Sequence, residues 1–228
     1  MPIVSPADRA RAYAALGDET RLAIVDLLAS GDLAAGDLGA RLGLASNLLA
    51  HHLRVLQEAG LVVRRRSEGD RRRFYVSRTR ACAELLGGAP SPDALHPARP
   101  ARVAFVCSQN SARSQLAESC WRGVSHVPVV SAGLHPAARV HPGAVAAARR
   151  RGLDLRAARP KLARDVLAGD EFVVTVCDRA HEELGGAALH WSVPDPVGAG
   201  SPDAFDAALT DIERRVSDLA ATLEGPTS

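Results

Sequence analysis

The chain has 228 residues, a formal net charge of +2 and 46% hydrophobic residues. It is long enough for one large domain or two small ones, at roughly 100–200 residues each, and too apolar for global disorder. Aromatics make up only 4%, so an aliphatic core of Leu, Val and Ala is expected. No apolar run approaches the ~20 residues that span a bilayer. The start Met1-Pro2-Ile3-Val4-Ser5-Pro6 has no basic segment followed by an apolar one, so no secretory leader is expected. A soluble, cytoplasmic protein with reduced thiols at Cys82, Cys107, Cys120 and Cys177 follows, with no membrane partner.

Charge is uneven. Residues 1–80 hold 13 arginines and 9 acids, while residues 81–228 hold 15 basic and 17 acidic side chains. A basic first part and a mildly acidic second part predict two units with different partners. The stretch 87–100 carries four prolines and two glycines, which neither a helix nor a central strand propagates. The expected organisation is therefore a first domain over 1–86, a linker over 87–100 and a second domain over 101–228.

In chain order, Ser5-Pro6-Ala7-Asp8 reads as a helix start with cap, first-turn proline and acid. A second helix is expected from Asp18, with Leu22, Ile24, Val25 and Leu28 turned inward and Ser30-Gly31 ending it. A short third helix over Asp37 to Leu42 and a tight turn at Gly43-Leu44-Ala45 follow. A fourth helix over Ser46 to Ala59 turns Leu49, Leu53 and Leu56 inward. Leu61 to Val63 and Phe74 to Val76 read as strands of a hairpin, and Arg80 to Leu86 as a helix. After the linker, strands at 103–106, 127–130, 172–176 and 189–191 alternate with helices at 112–121, 142–151 and 203–223. That alternation predicts a parallel sheet covered on both faces, with its ligand at the carboxyl ends of the strands.

A tight helix–turn–helix followed by a basic hairpin fits a DNA-reading winged helix, whose second helix enters the major groove while the wing meets phosphates. The wing carries Arg64, Arg65, Arg66, Arg71, Arg72 and Arg73, six guanidiniums that repel one another unless an anion neutralises them. Ser46, Asn47, Ala50, His51 and Arg54 lie off the apolar face of the fourth helix. Asn47 could pair an adenine edge, and Arg54 a guanine or a phosphate. His52 is expected to pack inward and His51 to face DNA. The segments Ala15-Leu16-Gly17-Asp18-Glu19-Thr20-Arg21-Leu22, Leu42-Gly43-Leu44-Ala45 and His52 through Val62 resemble the ArsR-type winged-helix repressors. The resemblance implies a homodimer on operator DNA, paired through its first and last helices. Many members sense metals through paired cysteines on the third helix. Here that place reads Asp32-Leu33-Ala34-Ala35-Gly36-Asp37 without a thiol and Cys82 stands alone in this unit, so no metal site is assigned.

The second unit carries Val106-Cys107-Ser108-Gln109-Asn110-Ser111-Ala112-Arg113-Ser114 between an apolar strand and a helix. Such a loop wraps backbone N–H groups around an oxyanion at the positive helix end. Arg113 can clamp two oxygens in fork geometry, and the positive field favours the thiolate of Cys107. Ser114 can donate to that sulfur, and Asn110 suits a left-handed turn. The leaving group needs a general acid, for which Asp195 of Asp195-Pro196 is the candidate. These residues, with Ser131-Ala132-Gly133, His141-Pro142-Gly143-Ala144 and Arg159-Pro160-Lys161, resemble the low-molecular-weight phosphatase fold and, within it, the arsenate reductases. The resemblance implies Cys107 as nucleophile, Arg113 as clamp and Asp195 as acid.

Gln115 and Val197-Gly198 stand where tyrosine phosphatases of this fold carry proline and tyrosines, and residues 101–228 contain no tyrosine. Cys177 follows the third strand and is either a second attacking thiol or a buried strand-end residue. The resemblance places a third, resolving cysteine shortly after it in thioredoxin-coupled reductases. None is present, so an external thiol (mycothiol or glutathione, with the thioredoxin system as the alternative) is expected. Glu118, Asn110 and Ser131 match positions that some reductases use for potassium. The expected fold class is thus α/β in two domains, a winged helix (α+β) and a four-stranded parallel sheet of the low-molecular-weight phosphatase type. The function expected is an operator-binding regulator fused to an arsenate reductase. The alternatives are a regulator whose second unit only senses arsenic or an oxyanion, and a protein tyrosine phosphatase.

Overall fold

The computed structural model describes residues 5–86 and 100–224, which fall into two compact units. The expected linker lies outside the described residues, apart from Pro100.

The first unit begins with α1 (Pro6–Leu16), capped by the Ser5 side chain, which accepts from the Asp8 N–H. Asp18 caps α2 (Glu19–Leu27) in the same way by accepting from the Arg21 N–H. β1 (Leu33–Ala34) leads into α3 (Ala35–Leu42), which starts two residues before its expected position and ends at Gly43 with φ 64°. Glycine enters this left-handed conformation without the Cβ penalty, so the chain can turn at once into α4 (Ser46–Glu58). β2 (Val62–Arg66), β3 (Phe74–Arg78) and α5 (Arg80–Leu85) complete the unit. Its antiparallel sheet has the order β1-β3-β2. β1 is too short to show a period in sequence; pairing of Leu33 with Val76 and Ala34 with Tyr75 seats it.

Leu38, Leu49, Leu53, Leu56, Leu61 and Val76 bury together with Ile24, Val25 and Leu28. Leu22 departs from its expected inward place and is 39% exposed. At 100° per residue it lies about 120° from Leu28, on the flank of the face that α2 buries.

In the second unit, β4 (Val103–Cys107) is buried throughout and is followed by α6 (Arg113–Arg122). Then come β5 (Val129–Gly133), α7 (Pro142–Arg150), α8 (Ala163–Val166) and β6 (Phe172–Thr175). α9 (Asp178–Leu184), β7 (Leu189–His190), α10 (Pro196–Ala199) and α11 (Pro202–Glu224) finish it. The sheet order is β5-β4-β6-β7 and every pairing is parallel. The chain leaves β4 first to one side and later to the other, so the carboxyl end of β4 is the switch point at which such sheets bind ligands. The helices α8, α9 and α10 are too short to show a periodicity in sequence.

Two further expectations need correction. The second strand begins at Val129 rather than Val127: the Val127 carbonyl is taken by Trp121 Nε1 (2.8 Å), and Pro128 has no N–H to give the ladder, though its carbonyl accepts from the Val103 N–H (2.8 Å). The core is also not purely aliphatic. Phe105 of β4 lies 5.9 Å from the Trp121 ring and 5.6 Å from the Trp191 ring, all three buried. Three of the eight aromatics thus cluster at the site-bearing strand.

Candidate active site and nucleic-acid interface

Cys107 ends β4, 3% exposed, and residues 108–112 bridge it to α6. The carbonyls of Cys107, Ser108, Gln109 and Ser111 all accept from the segment after β5, at the N–H groups of Leu134, His135, Ala137 and His141 (3.3, 2.8, 2.9 and 2.8 Å). In a trans peptide the N–H points opposite the carbonyl. Turning these four carbonyls outward therefore turns the N–H groups of Ser108, Gln109, Asn110 and Ala112 inward. The Asn110 N–H does meet Cys107 Sγ at 3.2 Å. The result is a concave ring of amides at the start of a helix, an arrangement suited to a tetrahedral anion.

Asn110 sets the curvature. Its φ of 49° is the left-handed region, and it alone among the described non-glycine residues has a positive φ. Its amide is fully used: Nδ2 donates to Ser114 Oγ (2.8 Å) and Ser131 Oγ (2.9 Å), while Oδ1 accepts from Gln115 Nε2 (3.0 Å) and the Lys161 N–H (2.8 Å). Ser114 Oγ lies 3.0 Å from Cys107 Sγ. Gly133 lets the loop sit this low on the sheet, since a Cβ there would stand 2.9 Å from the Asn110 nitrogen.

Arg113 opens α6 and is almost fully buried. Its Nη1 donates to the Val193 carbonyl (2.8 Å), and its Nη2 lies 3.1 Å from Asp195 Oδ1. Burial acts to lower its pKa, but the neighbouring Cys177, Cys107 and Asp195 outweigh that and raise it, so the guanidinium stays charged in place. Asp195 is the N-cap of α10, accepting from the Val197 and Gly198 N–H groups. Cys177 is the N-cap of α9 and accepts from the Ala180 N–H (3.4 Å). Its Sγ is 3.5 Å from Ser108 Oγ, so the second thiol reaches the oxyanion loop. Burial, with Cys107 beside it, pushes the Cys177 thiol up, and Arg113 acts against that.

The other two thiols are buried away from these groups. Burial pushes Cys82 up to about 11 and Cys120 up to about 12, the behaviour of small packing residues. Glu118 is buried beside Ser131, and Lys161 Nζ stands 3.0 Å from its Oε2. Among the described residues no group of three or more His, Cys, Asp or Glu could hold a metal ion, and no helix is long and apolar enough to cross a membrane.

In the first unit, Ser46, Asn47, Ala50, His51 and Arg54 are all exposed on α4, opposite the buried Leu49, Leu53 and Leu56. Positions 47, 50, 51 and 54 form one stripe at helical spacing. Along it Arg54 Nη2 lies 3.4 Å from His51 Nδ1, and Arg54 Nη1 lies 3.4 Å from Glu58 Oε1. His52 turns inward. Arg71, Arg72 and Arg73 are exposed in the hairpin between β2 and β3, which the Ser67 N–H closes onto the Arg73 carbonyl (3.1 Å). Arg64 and Arg66 share a face of β2 over the Phe74 ring, at 4.1 and 5.3 Å.

Leu48, 45% exposed beside the stripe, carries no signal in sequence beyond its place in the fourth helix, and no local pattern marks residues 134–140 or the His190–Asp178 pair.

Residues 102–227 match the family described as low molecular weight phosphotyrosine protein phosphatase, and residues 18–63 match the bacterial regulatory protein, arsR family. An arsenate reductase of Staphylococcus haemolyticus is 30% identical over 129 residues, covering 53% of this chain and 96% of that protein. A glutaredoxin arsenate reductase of Synechocystis is 29% identical over 133 residues, covering 54% and 98%. An HTH-type transcriptional regulator of Mycobacterium tuberculosis is 44% identical over 69 residues, covering 30% and 64%.

Proposed function

The chain belongs to the low molecular weight phosphotyrosine protein phosphatase family through residues 102–227, and on that premise we propose that this part is a thiol-dependent arsenate reductase, joined to an operator-binding unit of arsR type. The observation that carries the reading is the second thiol, Cys177, 3.5 Å from Ser108 of the oxyanion loop. Arsenate and phosphate have similar shape and charge, so the amide ring and Arg113 serve either. The two anions differ in the following step, because a phosphocysteine needs water whereas a cysteine–arsenate adduct needs electrons.

Cys107 Sγ attacks the arsenic held by the N–H groups of residues 108–114. A sulfur–arsenic bond forms and one oxygen leaves as water, with its proton supplied by Asp195. Arg113, whose Nη2 lies beside Asp195, turns its fork to the anion. Cys177 then attacks Cys107 Sγ. The disulfide forms, the sulfur–arsenic bond breaks, and its electron pair stays on arsenic, which departs as trivalent arsenite. An external thiol then reduces the disulfide. No cysteine follows Cys177 within the chain, which favours a small thiol such as mycothiol or glutathione over direct thioredoxin coupling. Lys161 already places an ammonium on Glu118, which supports turnover without potassium.

In the first unit, Ser46, Asn47, Ala50, His51 and Arg54 read base edges, and Arg71, Arg72 and Arg73 meet phosphates. This unit covers 1–86, and the protein works as a cytoplasmic homodimer on two-fold operators, with the reductase domain over 101–228. The test is arsenite production from arsenate with each thiol system. Cys107→Ser is expected to abolish it while leaving operator binding intact. Steady hydrolysis of an aryl phosphate without thiol, and no arsenite, would make this unit a phosphatase instead.

A further inference from the structure

One cluster of buried titratable side chains in the second unit is unused by this chemistry. His190, at the end of β7, is 3% exposed. Its Nδ1 lies 3.1 Å from Thr175 Oγ1, and its Nε2 lies 3.0 Å from Asp178 Oδ1. Thr175 and Asp178 are the residues two before and one after Cys177, so a single ring holds the β6–α9 turn on both sides of the sulfur. Thr175 is fully buried and Asp178 is 3% exposed. The His181 ring stacks on His190 at 4.1 Å and an interplanar angle of 12°, and its Nδ1 also meets Thr175 Oγ1 at 3.1 Å. Burial acts to raise the Asp178 pKa, but hydrogen bonds from His190 and Ser192 outweigh it and hold the carboxyl below its ordinary value. Asp178 is thus a carboxylate tying the first turn of α9 to the strand and loop that lead to Asp195.

Burying a carboxylate and an imidazole costs more than an apolar pair of the same size. What the pair provides here is geometry. Cys177 at an N-cap has two backbone torsions and one side-chain torsion to set. Attack on a sulfur requires near-linear approach from about 3–3.5 Å. We propose that His190, acting with Asp178 and Thr175, is a positioning residue that holds Cys177 Sγ against the oxyanion loop for its attack on the Cys107 adduct. The proposal rests on the reading of Cys177 as the second thiol. In the step concerned, the Cys177–Cys107 bond forms, the Cys107–arsenic bond breaks, and arsenic gains the electron pair. His190 touches none of these atoms and moves no proton to them.

The experiment mixes the full-length reduced protein with arsenate and no external thiol, quenches with an alkylating agent, and follows closure of the Cys107–Cys177 disulfide by mass. Phosphate inhibition of the same step gives oxyanion affinity. In His190→Asn the closure rate is expected to fall by about tenfold or more, with the phosphate inhibition constant unchanged. Asp178→Asn, which keeps the side chain's size, is the second variant should the first not fold, and it is expected to slow closure in the same way. A purely structural role would lower the melting temperature but leave closure in the folded protein at the native rate, and that result overturns the proposal. If the native protein forms no disulfide, the reading of Cys177 fails and the proposal falls with it. Native closure with undiminished variants removes the proposal alone.

Discussion

Asn110 shows how much one side chain settles in this molecule. Its left-handed backbone makes the loop curl, and its amide ties that loop to Ser114, Ser131, Gln115 and Lys161. The turn is legible in the sequence because asparagine is one of the few residues that visit this region. Its partners at 131 and 161 are not, since a hydrogen bond between residues 21 or 51 apart depends on sheet register rather than on local pattern. Gly133 belongs to the same class. Its role is visible only once β5 lies beside β4 with Gly133 opposite Cys107. Gly133→Ala places a methyl 2.9 Å from the Asn110 nitrogen. Overpacking of this kind costs about 1–3 kcal/mol, which corresponds to roughly 5–150-fold in oxyanion affinity if the loop yields. Phosphate titration by calorimetry checks it; native affinity in the variant would show that the loop does not depend on this close approach.

Among the elements, α4 was readable almost to the residue, because a helix with Leu49, Leu53 and Leu56 inside leaves 47, 50, 51 and 54 outside by geometry. The wing strands were readable from their composition, and their pairing puts Arg64 opposite Val76 and Arg66 opposite Phe74. Replacing Arg71, Arg72 and Arg73 together by alanine is expected to weaken DNA binding at every sequence. It should also flatten the plot of log affinity against log salt by about 0.9 for each phosphate left without its arginine. Fluorescence anisotropy over a salt series measures this, and an unchanged slope would place the wing away from phosphates.

α11 carries a pH signature of its own. Burial acts to raise the Asp211 pKa, but Arg215 and Arg214, with bonds of 3.0 and 2.9 Å, outweigh that and hold it below 3.8. A depressed carboxylate stabilises the fold above its unfolded value, and this contribution is lost as pH falls through the folded one. Acid melts of Asp211→Asn should therefore lose stability less steeply below pH 3.8 than the native chain, while above it the native chain is the more stable. Parallel curves would contradict the assignment.

For the whole molecule, charge asymmetry announced two units with different partners, and each was nameable from its own motifs. The chemistry of the second unit was only half written in the sequence. Cys107, Arg113 and Ser114 stand within one short run, whereas Cys177 lies far downstream, and only the parallel pairing of β4 with β6 brings their ends to one edge. The proposed reaction therefore depends on that second sulfur, and the most direct measurement is the intact mass of the reduced protein after one equivalent of arsenate in the absence of any external thiol. A loss of two hydrogens is expected, mapped to a Cys107–Cys177 disulfide, with one equivalent of arsenite released. An unchanged mass with all arsenic still pentavalent would contradict it.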